Sequence, residues 1–176
     1  LERPNLHTAA VLPVRGKAID PKCMSMVPLG GRPLIDWTIA AALGAGSLSE
    51  LIVTSPDEAL LAHVEKQFGN KVTIWRRERA QAQENVPFYT SVTQALEHRR
   101  RAEPLDAVVG LTIEAPFRSS LYIDKAVNVM RIFEVDVVLG ILPESDHFYQ
   151  HHGQGLRPVG HNGNVTNLRL ERDYLY

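Results

Sequence analysis

Thr8-Ala9-Ala10-Val11-Leu12-Pro13-Val14-Arg15-Gly16 is the stretch from which the fold can be read. Seven uncharged, mostly apolar residues run without interruption into a basic residue and a glycine. A short apolar run of this kind, closed by a loop signal, reads as a buried strand. The loop then starts at Arg15, where a glycine lets the backbone approach an anion closely and an arginine can fork onto its oxygens.

Working outward, residues 17–28 carry Pro21, Ser25 and Pro28 without a period and read as an ordered loop. Pro33 opens a helical pattern, as proline suits a first turn. Ile35, Ile39, Ala42 and Leu43 share one face, and Gly44 and Gly46 stop it. Residues 51–54 form a second strand. Ser55 is expected to cap the next helix, with Glu58 three residues on completing a capping box. Leu60, Leu61, Val64 and Phe68 make the buried stripe of that helix. Residues 71–75 read as a third strand, 76–87 as a polar loop, 89–101 as a helix, 106–112 as a fourth strand, 120–135 as a helix and 136–142 as a fifth strand. Strands and helices alternating at this spacing require parallel crossovers. The expected fold class is α/β: a Rossmann-like three-layer sandwich with a mostly parallel sheet.

The 176 residues suit one domain, 1–176. Beyond Pro143 the periodicity fades, and four histidines and four glycines fall in 143–176, which reads as a loop, an arm or a small subdomain. A net charge of −1 offers no global field for nucleic acid or an anionic membrane, so phosphate recognition has to be local. The single cysteine, Cys23, excludes an intrachain disulfide and suits a reducing compartment. No apolar run has the length of a membrane span and no signal-peptide pattern is visible, so a cytoplasmic protein is expected.

Ligands of open parallel sheets lie beyond the carboxyl ends of the strands. That rule selects residues 15–29, 54–58, 76–88 and 112–118. In the first segment, Arg15, Gly16, Lys17 and Lys22 read either as an anion loop or as a solvated basic loop. In the last, Glu114 past a central strand can hold Mg²⁺ against a triphosphate, and Arg118 can pair with phosphate or with Glu114 itself. The phosphate-binding fingerprints of P-loop and dinucleotide folds are not matched. His147, His151, His152 and His161 have no zinc spacing, and a polar loop against substrate or a partner subunit is the better reading. His98-Arg99-Arg100-Arg101 reads as a basic helix end. Cys23 has no nucleophile context, and Trp37 and Trp75 read as core or half-buried.

Ala10-Val11-Leu12-Pro13-Val14-Arg15-Gly16, followed by Pro28-Leu29-Gly30-Gly31-Arg32-Pro33-Leu34-Ile35-Asp36-Trp37-Thr38-Ile39, resembles the acylneuraminate (CMP-sialic acid) cytidylyltransferases. Those carry a PARGGSKG-type loop and an LGGKPLI-type start to the first helix at the same separation. Leu51-Ile52-Val53-Thr54-Ser55-Pro56-Asp57-Glu58 resembles their second strand, and Ala95-Leu96-Glu97 the end of their "HALE" helix. The resemblance implies CTP and a nonulosonic or related keto-acid sugar as substrates, Mg²⁺ as cofactor, pyrophosphate as leaving group and a homodimer with 143–176 as its arm. It implies Arg15, Lys17 and Lys22 as catalytic residues. Leu12, Pro13, Arg15, Gly16, Ser25 and Arg77 would bind nucleotide, Gln83, Arg118, Arg169 and Arg172 the sugar, and Glu114 the metal.

The chain also departs from the pattern. Ile19 stands at the loop lysine, Cys23-Met24-Ser25 at the closing "R-K-N", and Thr112-Ile113-Glu114-Ala115-Pro116 at "QPTSP". The family's closing strand and further acids lie beyond the position of Tyr176, so the chain reads as a divergent, truncated member. Two alternatives accompany this reading: a non-catalytic nucleotide- or sugar-binding relative, and another sugar nucleotidyltransferase of the same layout.

Overall fold

The structure is a computed structural model; it describes residues 5–83, 86–99, 103–141, 149–151 and 153–158. The chain divides into two compact units, Leu1–Val138 and Leu139–Tyr176. The first contains β1 (Thr8–Pro13), a short antiparallel pair β2 (Pro28–Leu29) and β3 (Arg32–Pro33), α1 (Leu34–Leu43), β4 (Glu50–Ser55), α2 (Glu58–Phe68), β5 (Thr73–Arg76), α3 (Phe88–Glu97), β6 (Ala107–Gly110) and α4 (Ser120–Phe133). The second holds an antiparallel hairpin of β7 (Tyr149–His151) and β8 (Leu156–Pro158).

The main sheet has the order β5-β4-β1-β6, and every neighbouring pair is parallel. Side chains alternate across it, as a pleated strand requires. Ala10 and Leu12 of β1, with Leu51 and Val53 of β4, pack against Ile35 and Ile39 of α1, Leu60 and Val64 of α2 and Ile123 of α4. Val11 and Ile52 point to the other face and meet Ala95 of α3, flanked by Val92, Leu96 and Trp75. Helices therefore cover both faces, which is the expected three-layer α/β sandwich. It also explains why β1 reads as a continuous apolar run: neither face meets water.

Two expectations need correction. The N-cap of α2 is Asp57 and not Ser55. Ser55 is the last residue of β4, and its hydroxyl accepts the Asp57 N–H at 3.0 Å. The Asp57 carboxylate then accepts the N–H groups of Ala59 and Leu60, at 3.1 and 3.2 Å. Glu58 completes no capping box; its carboxylate pairs with Arg76 of β5. The second correction concerns residues 136–141, which form no strand. Their apolar alternation finds no described strand to pair with, and Val137, Leu139 and Ile141 are exposed. His147, His152 and His161 lie outside the described residues. The His151 ring nitrogen Nδ1 accepts the Gly153 N–H within the hairpin turn.

Asp124 of α4 ties that helix to the turn after α1. Its carboxylate accepts the Ser47 hydroxyl at 2.6 Å and the N–H groups of Ser47 and Gly46 at 2.9 and 3.3 Å. The Ser47 hydroxyl bond, outweighing a small burial effect, holds the carboxyl below the usual aspartate range. A carboxyl depressed on folding adds stability above its unfolded pKa, and loses it as pH falls through the folded value. Asp124→Asn is expected to lower Tm at neutral pH and to converge with the parent protein as pH falls below about 4, in melts taken from neutral pH down into acid.

Candidate nucleotide site

A cleft of about 610 Å³ opens at the carboxyl ends of β1 and β6. The chain steps from β1 to β4 and β5 on one side and returns to β6 on the other, so the cleft sits where the strand order reverses. Open α/β sheets bind ligands in that crevice. Of the residues read from the sequence, Pro13, Arg15, Lys22, Arg77, Gln83 and Glu114 line it.

Arg77 is the unusual member. It follows β5 directly, and its backbone N–H donates to the Ser55 carbonyl at 3.3 Å, which continues the β4–β5 ladder. Its side chain is only 4% exposed, yet it lines the cleft. One guanidinium nitrogen donates to the hydroxyl of Ser91 on α3. Nε is buried and finds no hydrogen-bond partner among the described residues. Burial, and after it the like charge of Arg15, lower this guanidinium to about 10. A desolvated cation that faces a second cation is poised to take an anion, which would relieve both penalties.

The loop after β1 supplies the second cation. The Val14 N–H donates to the Thr54 carbonyl at 2.9 Å, so β1 stays zipped to β4 up to Arg15. Gly16 then takes φ +70°, and its carbonyl accepts the N–H groups of Ile19 and Asp20. The Asp20 carboxylate accepts the Lys22 N–H at 2.9 Å, which fixes the turn that brings Lys22 to the cleft. Ser25 is buried; its hydroxyl accepts the Cys23 thiol at 3.4 Å and its carbonyl accepts the Ile35 N–H at 2.9 Å. Ser25 therefore anchors the far end of the loop to α1.

Several sequence candidates lie elsewhere. Leu12 is fully buried in the core, Gly16 packs against Asp57, and Lys17 is exposed and outside the lining. Arg118 donates to the Thr112 carbonyl at 3.4 Å, just outside the lining; burial lowers its guanidinium and Glu114 partly offsets this. Arg169 and Arg172 lie outside the described residues.

The cleft also holds residues that the sequence reading did not assign as ligands: Asp20, Cys23, Met24 and Phe88, inside the selected segments, and Ser91, outside them. A signal existed for Ser91. It is buried one turn before Ala95 on the core-facing side of α3, where a hydroxyl requires a partner, and Arg77 is that partner. Phe88 lies over β6 where Gly110 leaves room; a Cβ there would stand 2.7 Å from the ring.

The acids fit a metal only in part. Glu114 and Asp20 line the same cleft, and both are hard oxygen donors. Among the described residues no group of three or more His, Cys, Asp or Glu could hold a metal. Mg²⁺ commonly takes one or two carboxylates plus substrate phosphates, so this donor set fits a cation that arrives with a triphosphate.

With this geometry in place, the comparison with known families is decisive at the family level. Residues 22–172 match the family model described as cytidylyltransferase. The chain belongs to the cytidylyltransferase family. Solved structures share the fold. A CMP:2-keto-3-deoxy-manno-octonic acid synthetase complexed with CTP aligns with a TM-score of 0.58 at 15% identity, over 72% of this chain and 48% of that one. A 4-diphosphocytidyl-2C-methyl-D-erythritol synthase aligns with a TM-score of 0.62 at 17% identity, over 93% of this chain and 71% of that one. Rv0371C of Mycobacterium tuberculosis H37Rv, in a complex with manganese, aligns with a TM-score of 0.53 at 17% identity, over 72% of this chain and 60% of that one. At these identities the likeness is one of fold, and the chain spans about half the length of the octonic acid synthetase. The family is thus established at the level of cytidylyltransferases and not of their acylneuraminate branch. Among the described residues no helix is long and apolar enough to cross a membrane.

Proposed function

We propose that this cytidylyltransferase binds CTP in the cleft and transfers its cytidylyl group to an acid sugar, a nonulosonic acid such as N-acylneuraminate or a related keto-acid sugar. The observation that carries the reading is the buried, incompletely bonded Arg77 facing Arg15 at the strand ends. The acceptor hydroxyl attacks the α-phosphorus and loses its proton, the bond to the bridging oxygen of the β-phosphate breaks, and pyrophosphate leaves. Arg15, Arg77 and Lys22 lie where they can meet charge developing on the phosphate oxygens, so rate comes from positioning and electrostatics. Glu114, with Asp20 beside it in the lining, would hold Mg²⁺, which would neutralise triphosphate charge. The acid sugar and a homodimer with 143–176 as its arm rest on the sequence resemblance, and a cytoplasmic location on the single cysteine, which suits a reducing compartment.

The test is pyrophosphate release with each of the four nucleoside triphosphates, with Mg²⁺, over a panel of acid sugars. CTP-dependent release is expected, and Arg15→Ala is expected to reduce kcat/KM at least about 100-fold, the scale of losing one preorganised charge donor. A second reading has its own support: Cys23 and Met24 occupy the cleft wall, and Lys17 stays outside it. Under that reading the domain binds CTP without turnover, so binding by calorimetry with no release of pyrophosphate would select it.

A further inference from the structure

Asp57 does not line the cleft, yet it touches the loop that carries Arg15 to Lys22. Three observations converge on it. The Gly16 backbone lies so close that a Cβ there would stand 2.3 Å from the Asp57 Cβ and 2.6 Å from Oδ2. The same Oδ2 accepts the Ala18 N–H at 3.4 Å. The other oxygen, Oδ1, accepts the first N–H groups of α2, from Ala59 and Leu60. One carboxylate therefore spans two elements. Its Oδ1 is fixed by a helix start rooted in the core, and its Oδ2 is presented to the loop.

We infer that Asp57 is a positioning residue for the transfer reaction: it holds the 16–20 turn against α2, and so sets where Arg15 and Lys22 stand in the cleft. The inference rests on the proposed CTP site, but the clamp itself can be observed without nucleotide. Gly16 belongs to the same device. Its left-handed φ of +70° and missing side chain let the loop seat on Asp57, and any larger residue is strained there. The sequence pattern shows why this is easily missed, because Asp57 also satisfies the ordinary demand of a helix start.

Asp57→Ser separates the two roles. Serine caps a helix about as well as aspartate, so α2 keeps its acceptor. A single short hydroxyl leaves no second oxygen for Ala18. Asp57→Ala removes both roles and serves as the stability reference. Two readouts are needed: hydrogen exchange of the Ala18 amide in the nucleotide-free protein, and the KM for CTP with kcat measured alongside. In Asp57→Ser, Ala18 is expected to exchange faster and the KM for CTP to rise about 5- to 10-fold, the scale of one ordinary hydrogen bond, with Tm near that of the parent. Unchanged Ala18 exchange, or faster exchange with unchanged KM, would overturn the positioning role and leave Asp57 a helix cap alone. If the parent protein neither binds nor turns over CTP, the proposed function falls, and Ala18 exchange still decides whether the clamp exists.

Discussion

Arg77→Met is expected to weaken CTP binding at least about 100-fold, near 3 kcal/mol, without lowering Tm. The two halves of this expectation have one cause. Arg77 is 4% exposed, its Nε has no partner among the described residues, and its guanidinium is lowered to about 10 by burial and by Arg15. In the absence of an anion this charge is a burden on the fold, and replacing a buried ion with an apolar chain of similar length is often neutral or stabilising. The Ser91 hydroxyl loses its partner, a cost of about 1 kcal/mol that offsets the gain. With CTP present the same desolvation works in favour of binding, because a phosphate meets a cation already stripped of water. The sign with pH follows. For a base whose folded pKa lies below its unfolded one, the destabilisation is complete at neutral pH and disappears as pH rises through the unfolded value. The parent protein should therefore lose CTP affinity as pH climbs above about 10, and the methionine variant should show neither the affinity nor its pH dependence. Calorimetric titration and thermal melts over that range check both.

Leu12→Ala is expected to destabilise the fold by about 2–5 kcal/mol and to leave the CTP dissociation constant of the folded fraction within about 2-fold. Leu12 is 0% exposed and packs in the cluster that joins β1 to α1, α2 and α4. Close-packed interiors relax only partly around a deletion of this size, so the lost transfer free energy and the residual cavity add. Its backbone remains in the parallel ladder with β4, where it is paired with Val53. The strand end that presents Arg15 is thereby preserved as long as the domain is folded. Urea unfolding gives the first quantity, and titration well below the unfolding midpoint gives the second. A large change in affinity with little change in stability would mean that the Leu12 side chain, and not the strand, serves the nucleotide.

The contrast between Leu12 and Arg77 shows what a sequence of this kind carries. Periodicity reports burial, so the order and type of β1, α1 and α2 are legible in it, and the parallel layering follows from their alternation. It also led to the end of the sheet where the cleft opens, because ligand position in an open α/β sheet is a property of topology. Which residue of a loop turns inward is a different matter. Lys17 and Lys22 have the same chemistry and lie in the same loop, and only the Gly16 and Asp20 turns decide that Lys22 faces the cleft. Asp57 and Ser55 are both good caps by composition; the extra length of β4 uses up Ser55 and passes the role on. Residues 136–141 failed as a strand because alternation records only the wish to bury one face, and a strand also needs a neighbour to bond. Arg77 was placed by family resemblance, but its burial against Ser91 joins residues on different elements and leaves no local trace.

The central claim is that Arg15 and Arg77 form a CTP site at the carboxyl ends of β1 and β5. Calorimetric titration of CTP into the parent protein and into Arg77→Met, at neutral pH with Mg²⁺, tests it most directly. The account predicts saturable one-site binding by the parent and at least about a 100-fold loss in the variant, with both proteins equally folded. Equal affinity in the two proteins, or no binding by the parent, would contradict it.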